Sequence, residues 1–188
     1  MQHNNKILQI ACASNDIDAS RDVARALKGT LYCDERDEWQ HLPFRALVTA
    51  ATDDMDMLKT ASDIGLYVVY RRLIKPGIPK VVALFPLVRQ PEKTHREADT
   101  HWRDIHAPLA LEHHRAMSHY TQLSVVQNLS GHSLDGFALC GFDSVEDLRE
   151  RFFTHPDSQD VINADVRKFA DLRNSPGRLI ATEERFQP

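Results

Sequence analysis

Long apolar runs are missing from this chain. No stretch approaches the roughly 20 residues that a membrane-spanning helix needs. Ile7–Ala13 is apolar but short, contains Gln9 and has only Lys6 as a basic flank, so it reads as a first strand and not as a signal peptide. Cysteine is scarce: Cys12, Cys33 and Cys140 are odd in number and far apart. That suits neither a disulfide framework nor a metal knuckle and favours a reducing, cytoplasmic setting. The seven glycines nowhere form a phosphate-cradling loop, which argues against a nucleotide cofactor. A nucleophile-elbow motif is absent as well. Basic blocks are missing: 23 Lys and Arg are interspersed with 27 Asp and Glu for a net charge of −4. Neither nucleic acid nor a membrane is therefore an expected partner.

What is present suits one compact domain or two small ones: 188 residues, 42% hydrophobic and 27% charged. Lys6–Ala13 reads as a strand, Asp18–Lys28 as a helix ended by Gly29, and Leu31–Cys33 and Arg45–Ala51 as strands. Asp53 or Asp54 caps a short helix that runs to Ile64 and ends at Gly65. Leu66–Ile74 is strongly β-prone. Lys75-Pro76-Gly77-Ile78-Pro79 then interrupts the pattern and is the best internal boundary. The second half repeats the order. Lys80–Val88 is a strand, Pro91–Ile105 is helical, and a second helical piece opens at Pro108. Tyr120–Gln127 and Gly136–Phe142 are strands, Ser144 caps a helix, a further helix runs from Pro156 to about Leu172, and Arg178–Thr182 is the last strand. Each half reads βαββαβ, the ferredoxin-like arrangement. The expected fold is therefore α+β, with tandem ferredoxin-like halves at 1–75 and 79–188 packing as a single-chain α+β barrel. Two independent small domains are the alternative.

His101–Tyr120, HWRDIHAPLALEHHRAMSHY, holds five of the ten histidines and one of the two tryptophans. Imidazole titrates near neutral pH, so such a cluster suits proton chemistry without a cofactor. Pro108 removes a backbone donor and disfavours helical geometry before it, so a helix break is expected near His106. A break can turn the His106 imidazole toward a cavity, or His106 can simply cap the broken helix. Trp102, four residues earlier on the same face, can wall a pocket or be core. Tyr120, at a strand start, can donate to a developing enolate oxygen or be a half-buried strand aromatic. His113 lies nearly on the face of His106. It, His114 and His119 each read individually as surface histidines, and one of them is a candidate second acid/base group. A metal is not expected. His106 and His113 are separated by roughly 10 Å of helical rise, whereas ligand atoms lie about 2 Å from zinc. Glu97, His101 and Asp104 read more simply as a solvated charged face. Cys140, in an apolar strand, reads as core.

The C-terminal half resembles the EthD-like proteins of the dimeric α+β barrel superfamily. The resemblance rests on Lys80–Phe85, on Trp102, His106 and Pro108 in the pattern Trp-x-x-x-His-x-Pro, and on Tyr120. Asp135-Gly136-Phe137, Phe142–Glu146 and Ile180–Glu184 extend it, so that it covers roughly residues 79–186. Ala116–His119 departs from the glycine that the family often places before the tyrosine-bearing strand. The N-terminal half has no Trp-x-x-x-His-x-Pro, so it is expected to be a degenerate copy and the chain to carry one site. Related barrels catalyse lactone isomerisation, polyketide cyclisation and cofactor-free oxygenation, so the resemblance implies a fold more firmly than a reaction.

The expected function is a cofactor-independent acid/base enzyme of isomerase, cyclase or dehydratase type acting on a small apolar or aromatic ketone, lactone or phenol. His106, Tyr120 and His113 are the candidate catalytic residues, and Trp102 and Phe85 the candidate substrate-binding residues. A non-catalytic binding or accessory protein is the first alternative and a cofactor-free oxygenase the second. The expected partner is a small-molecule ligand. The expected assembly is a pseudo-dimer within the chain, with further homodimerisation left open.

Overall fold

A computed structural model describes residues 7–52 and 54–186. Lys6, expected in the first strand, and Asp53, one of two expected caps, lie outside the described residues. The N-terminal half runs β1 (Ile7–Ser14), α1 (Ile17–Ala26), β2 (Thr30–Cys33), β3 (Ala46–Ala50), α2 (Met55–Ala61) and β4 (Gly65–Lys75). The C-terminal half begins with β5 (Val81–Leu87) and α3 (His95–His101). A π-helical turn (Trp102–His106) then leads into α4 (Ala107–His113). β6 (Met117–Gly131), β7 (Gly136–Phe142), α5 (Val145–Glu150), α6 (Ser158–Val166) and β8 (Leu179–Arg185) complete the chain.

Local chemistry explains most helix starts. Asp16 accepts from the Ala19 N–H at 2.9 Å, and Asp54 from the Met57 N–H at 3.2 Å. Ser144 accepts from the Asp147 N–H at 3.0 Å. Thr94 and Glu97 form a reciprocal capping box ahead of α3. Two glycine expectations are corrected. The residue with left-handed backbone after α1 is Lys28, at φ 52°, not Gly29. Gly29 is needed for closeness instead, because a Cβ there would lie 2.6 Å from the Thr49 carbonyl oxygen. Gly65 does not end α2, which stops at Ala61; it opens β4.

The eight strands close into an antiparallel barrel in the order β1-β3-β2-β8-β5-β7-β6-β4. Two seams join the halves. β2 pairs with β8 from Thr30↔Arg185 to Cys33↔Thr182, and β4 pairs with β6 from Gly65↔Gly131 to Lys75↔Tyr120.

Alternation along the strands sorts side chains between two faces. Every strand sends residues to one central cluster, among them Ala13, Tyr32, Leu47, Val69, Leu84 and Phe137. The barrel interior is therefore packed with side chains. The outer face of the N-terminal half is covered by α1 and α2 through Ala24, Leu58 and Ala61. The outer face of the C-terminal half carries Val81, Ala83, Tyr120 and Cys140 under Trp102, Ala110 and Phe169. No helix among the described residues is long and apolar enough to cross a membrane.

The expected break before Pro108 is also corrected. The helix continues through it, because the turn widens. The Ala107 N–H reaches back five residues to the Trp102 carbonyl, and Pro108 sits in the first turn of α4, where a missing N–H costs little. The widened turn keeps the proline ring off the carbonyl it would strike in a regular helix.

Candidate active site

A cavity of about 170 Å³ lies between the outer wall of the C-terminal half-barrel and its helices. Phe85, Tyr120 and Cys140 form the strand side. Trp102, His106 and His114 come from the α3–α4 segment, with Phe152, Val166 and Phe169 opposite. Four of the five expected site residues, Phe85, Trp102, His106 and Tyr120, therefore line one space. His113 does not: it is buried, and its Nδ1 lies 2.9 Å from Ser158 Oγ. The expectation of surface positions for the later histidines is corrected, since His113, His114 and His119 are 9%, 4% and 2% exposed. The one that reaches the cavity is His114, one residue beyond the expected candidate.

The π-helical turn brings two histidines onto one carboxylate. In a regular helix, positions five apart diverge by 140°. The extra residue in the turn realigns them, so His101 and His106 both reach Asp165 of α6. His101 Nε2 lies 2.9 Å from Oδ1, and His106 Nδ1 lies 3.0 Å from Oδ2. With Nδ1–H as the donor to the carboxylate, the Nε2 lone pair of His106 is free, and no protein group bonds to it among the described residues. Burial pushes the His106 pKa down against the opposing pull of Asp165, so the ring is a neutral base at pH 7. Burial alone would raise the Asp165 pKa, but the bonds from His101 and His106 outweigh it and hold the carboxyl below its usual range. Phe169 fixes the ring planes, with centroids 5.4 Å from His101 and 5.1 Å from His106.

Tyr120 lines the same cavity. Its oxygen accepts from Trp102 Nε1–H and from Gln122 Nε2–H, both at 3.0 Å. Burial raises its pKa, so the phenol keeps its proton. Trp102 lies directly on β7. A Cβ at Gly136 would come within 2.6 Å of its ring, which is the physical need for that glycine.

The remaining wall is aromatic and aliphatic, with Asn163 as its amide and no Lys, Arg, Asp or Glu. His114 Nδ1 lies 2.6 Å from the Phe152 carbonyl, and its ring packs 4.4 Å from that of Phe152. Burial lowers its pKa to about 4. The Cys140 thiol is pushed up to about 12 by burial, so it is no thiolate nucleophile at neutral pH. Glu97, His101 and Asp104 go separate ways: Glu97 caps α3, His101 meets Asp165, and Asp104 pairs with Arg103 at 2.6 Å. Among the described residues, Cys33, Glu35 and Glu184 do stand at metal-ligand spacing. The Arg21 guanidinium already occupies that cluster, 2.8 Å from Glu35 and 2.9 Å from Glu184.

Asp165, Gln122 and Phe169 did not emerge from sequence reasoning as site residues, whereas His114 was one of three histidines left open as a second acid/base group. The helical pattern around Asp165 and Phe169 was visible, but not the face they share with His106.

The comparisons with known proteins agree with this architecture. No curated protein matches the chain. Among the solved structures that match are two that share the fold. An anthrone oxidase-like protein has a TM-score of 0.54 and 9% identity, covering 96% of this chain and 93% of its own. A candidate monooxygenase from Lactobacillus acidophilus NCFM has a TM-score of 0.50 and 9% identity, covering 96% of each chain. Residues 90–173, which hold the π-helical turn, Tyr120 and Asp165, match the EthD domain family.

Proposed function

We propose that the chain is a cofactor-independent acid/base enzyme acting on a small apolar or aromatic ketone, lactone or phenol. One observation carries this reading. The His106 imidazole, tied through Nδ1 to Asp165 at 3.0 Å, lines the same apolar cavity as the proton-bearing Tyr120 hydroxyl. His106 Nε2 removes or relays a proton, Asp165 fixes its tautomer and supports the imidazolium, and Tyr120 stabilises the oxyanion. Trp102 and Phe85 wall the substrate. An enclosed apolar cavity of about 150 Å³ accepts benzene, so a space of about 170 Å³ suits one substituted ring. Isomerisation, cyclisation and dehydration all use this proton chemistry.

The test is α-proton exchange of small aromatic ketones and lactones in D₂O, followed by NMR. His106→Gln should slow enzyme-dependent exchange by about 10²- to 10⁴-fold. An unchanged rate would remove His106 from the mechanism. A second reading, a cofactor-free oxygenase, shares the first step, since a carbanion or enolate is what dioxygen would attack. The names of the two structural neighbours favour it. Oxygen uptake with a dihydroxyaromatic substrate separates the two.

The strand orders β4-β1-β3-β2 and β8-β5-β7-β6 support a further reading. The chain is two ferredoxin-like units, 1–75 and 79–188, joined as an internal pseudo-dimer with one site.

A further inference from the structure

The hydrogen-bonding groups around Tyr120 point in one direction. Gln122 cannot reverse its amide, because Arg72 Nε–H donates to its Oε1 at 3.1 Å. Its Nε2 hydrogens therefore go to the Trp102 carbonyl at 3.1 Å and to the Tyr120 oxygen at 3.0 Å. Arg72 is itself immobilised. It is 2% exposed, forks onto both oxygens of Asp99 at 2.8 and 2.7 Å, and lies 5.5 Å over the Trp102 ring. A phenol oxygen that receives two N–H groups has no acceptor capacity left. Its own proton finds no protein acceptor among the described residues, so it is available only to a molecule in the cavity. No Lys, Arg, Asp or Glu side chain lines that cavity, so an anion would enter without a counter-charge.

We propose that the Asp99–Arg72–Gln122 array makes Tyr120 a one-way donor, so that the site selects an uncharged carbonyl compound over a carboxylate of the same size. This rests on the cavity being the ligand site. It also assigns a positioning role to the N-terminal half, because Arg72 belongs to β4. An amide whose orientation is fixed from the other half of the barrel sets the hydrogen-bond polarity of the pocket.

The experiment uses the full chain with three probes of one ring: acetophenone, benzoate and ethylbenzene. Calorimetry measures binding, and infrared spectroscopy measures the carbonyl band of bound acetophenone. Acetophenone should bind at least about tenfold tighter than benzoate, with its carbonyl band moved to lower frequency by the Tyr120 hydrogen bond. Tyr120→Phe should abolish that movement and weaken acetophenone by about tenfold, with ethylbenzene unaffected. Gln122→Glu keeps the size and the Arg72 contact but offers Tyr120 an acceptor in place of a donor. The tyrosine proton turns to it, and the band should return as in Tyr120→Phe. If Gln122→Glu does not fold, Arg72→Lys frees the amide to reverse and should split the band. Equal affinity for acetophenone and benzoate, or an unmoved band in the Gln122 or Arg72 variant, overturns the array. If none of the three probes binds, the cavity is not the ligand site and the reading beneath it fails as well.

Discussion

His114 is 4% exposed and packed 4.4 Å from Phe152, so a proton placed on it leaves a charge inside an aromatic wall. Its pKa falls from 6.5 to about 4 because burial disfavours the charged ring. Between those values the unfolded chain binds the extra proton and the folded chain does not. This contribution to stability is therefore complete above pH 6.5, is lost as the pH falls toward 4, and levels off below. A shift of that size corresponds to roughly 3 kcal/mol. His106 adds in the same direction, since burial lowers its pKa too. Urea denaturation at several pH values between 7 and 4 should show a steep loss in the native protein and a shallower one in His114→Gln; parallel curves would disprove the assignment. The segment holding His106 and Tyr120 was legible in the sequence because tryptophan, histidine, proline and tyrosine cluster within twenty positions. Asp165 was not, because it meets His106 from 59 positions away. Gln122 and Arg72 are likewise 50 positions apart. Spacing within one segment carries no signal about partners on another.

At the scale of elements, the strands were legible because each alternates or runs apolar between clear punctuation, as in Val81–Leu87 before the turn toward His95. The π-helical turn was not. A reading at 3.6 residues per turn places His101 and His106 on different faces, and Pro108 suggests a stop where the structure has a widening. Pro156 also promised a longer helix than α6, which ends at Val166; the chain then turns so that Phe169 stacks on His101 and meets His106 at a tilt. Close packing of this helical layer on β7 depends on Gly136. An added methyl would meet the Trp102 ring at 2.6 Å and the Leu123 carbonyl at 3.0 Å. Gly136→Ala should cost roughly 1–3 kcal/mol, seen as a lowered urea midpoint. A midpoint equal to that of the native protein would show that Trp102 yields freely.

For the whole molecule, the two seams make each half depend on the other. Separated at Pro76–Pro79, residues 1–75 would expose the edges of β2 and β4, and the remainder those of β6 and β8. Neither fragment should unfold cooperatively alone, whereas co-expressed fragments should associate and recover a single transition by calorimetry. A cooperative transition in either isolated fragment would show that the halves are independent. The seams were only partly legible. A sheet with one uncovered face demands a covering, but nothing in the sequence shows that β2 meets β8 or that β4 meets β6. Closure has a consequence for assembly. Every strand of the described residues has two neighbours over part of its length, so a further strand would find an open ladder only at overhangs such as Ile7–Gln9 of β1 and Asn128–Gly131 of β6. A second copy that joined through side-chain surfaces would leave both barrels whole when the pair came apart.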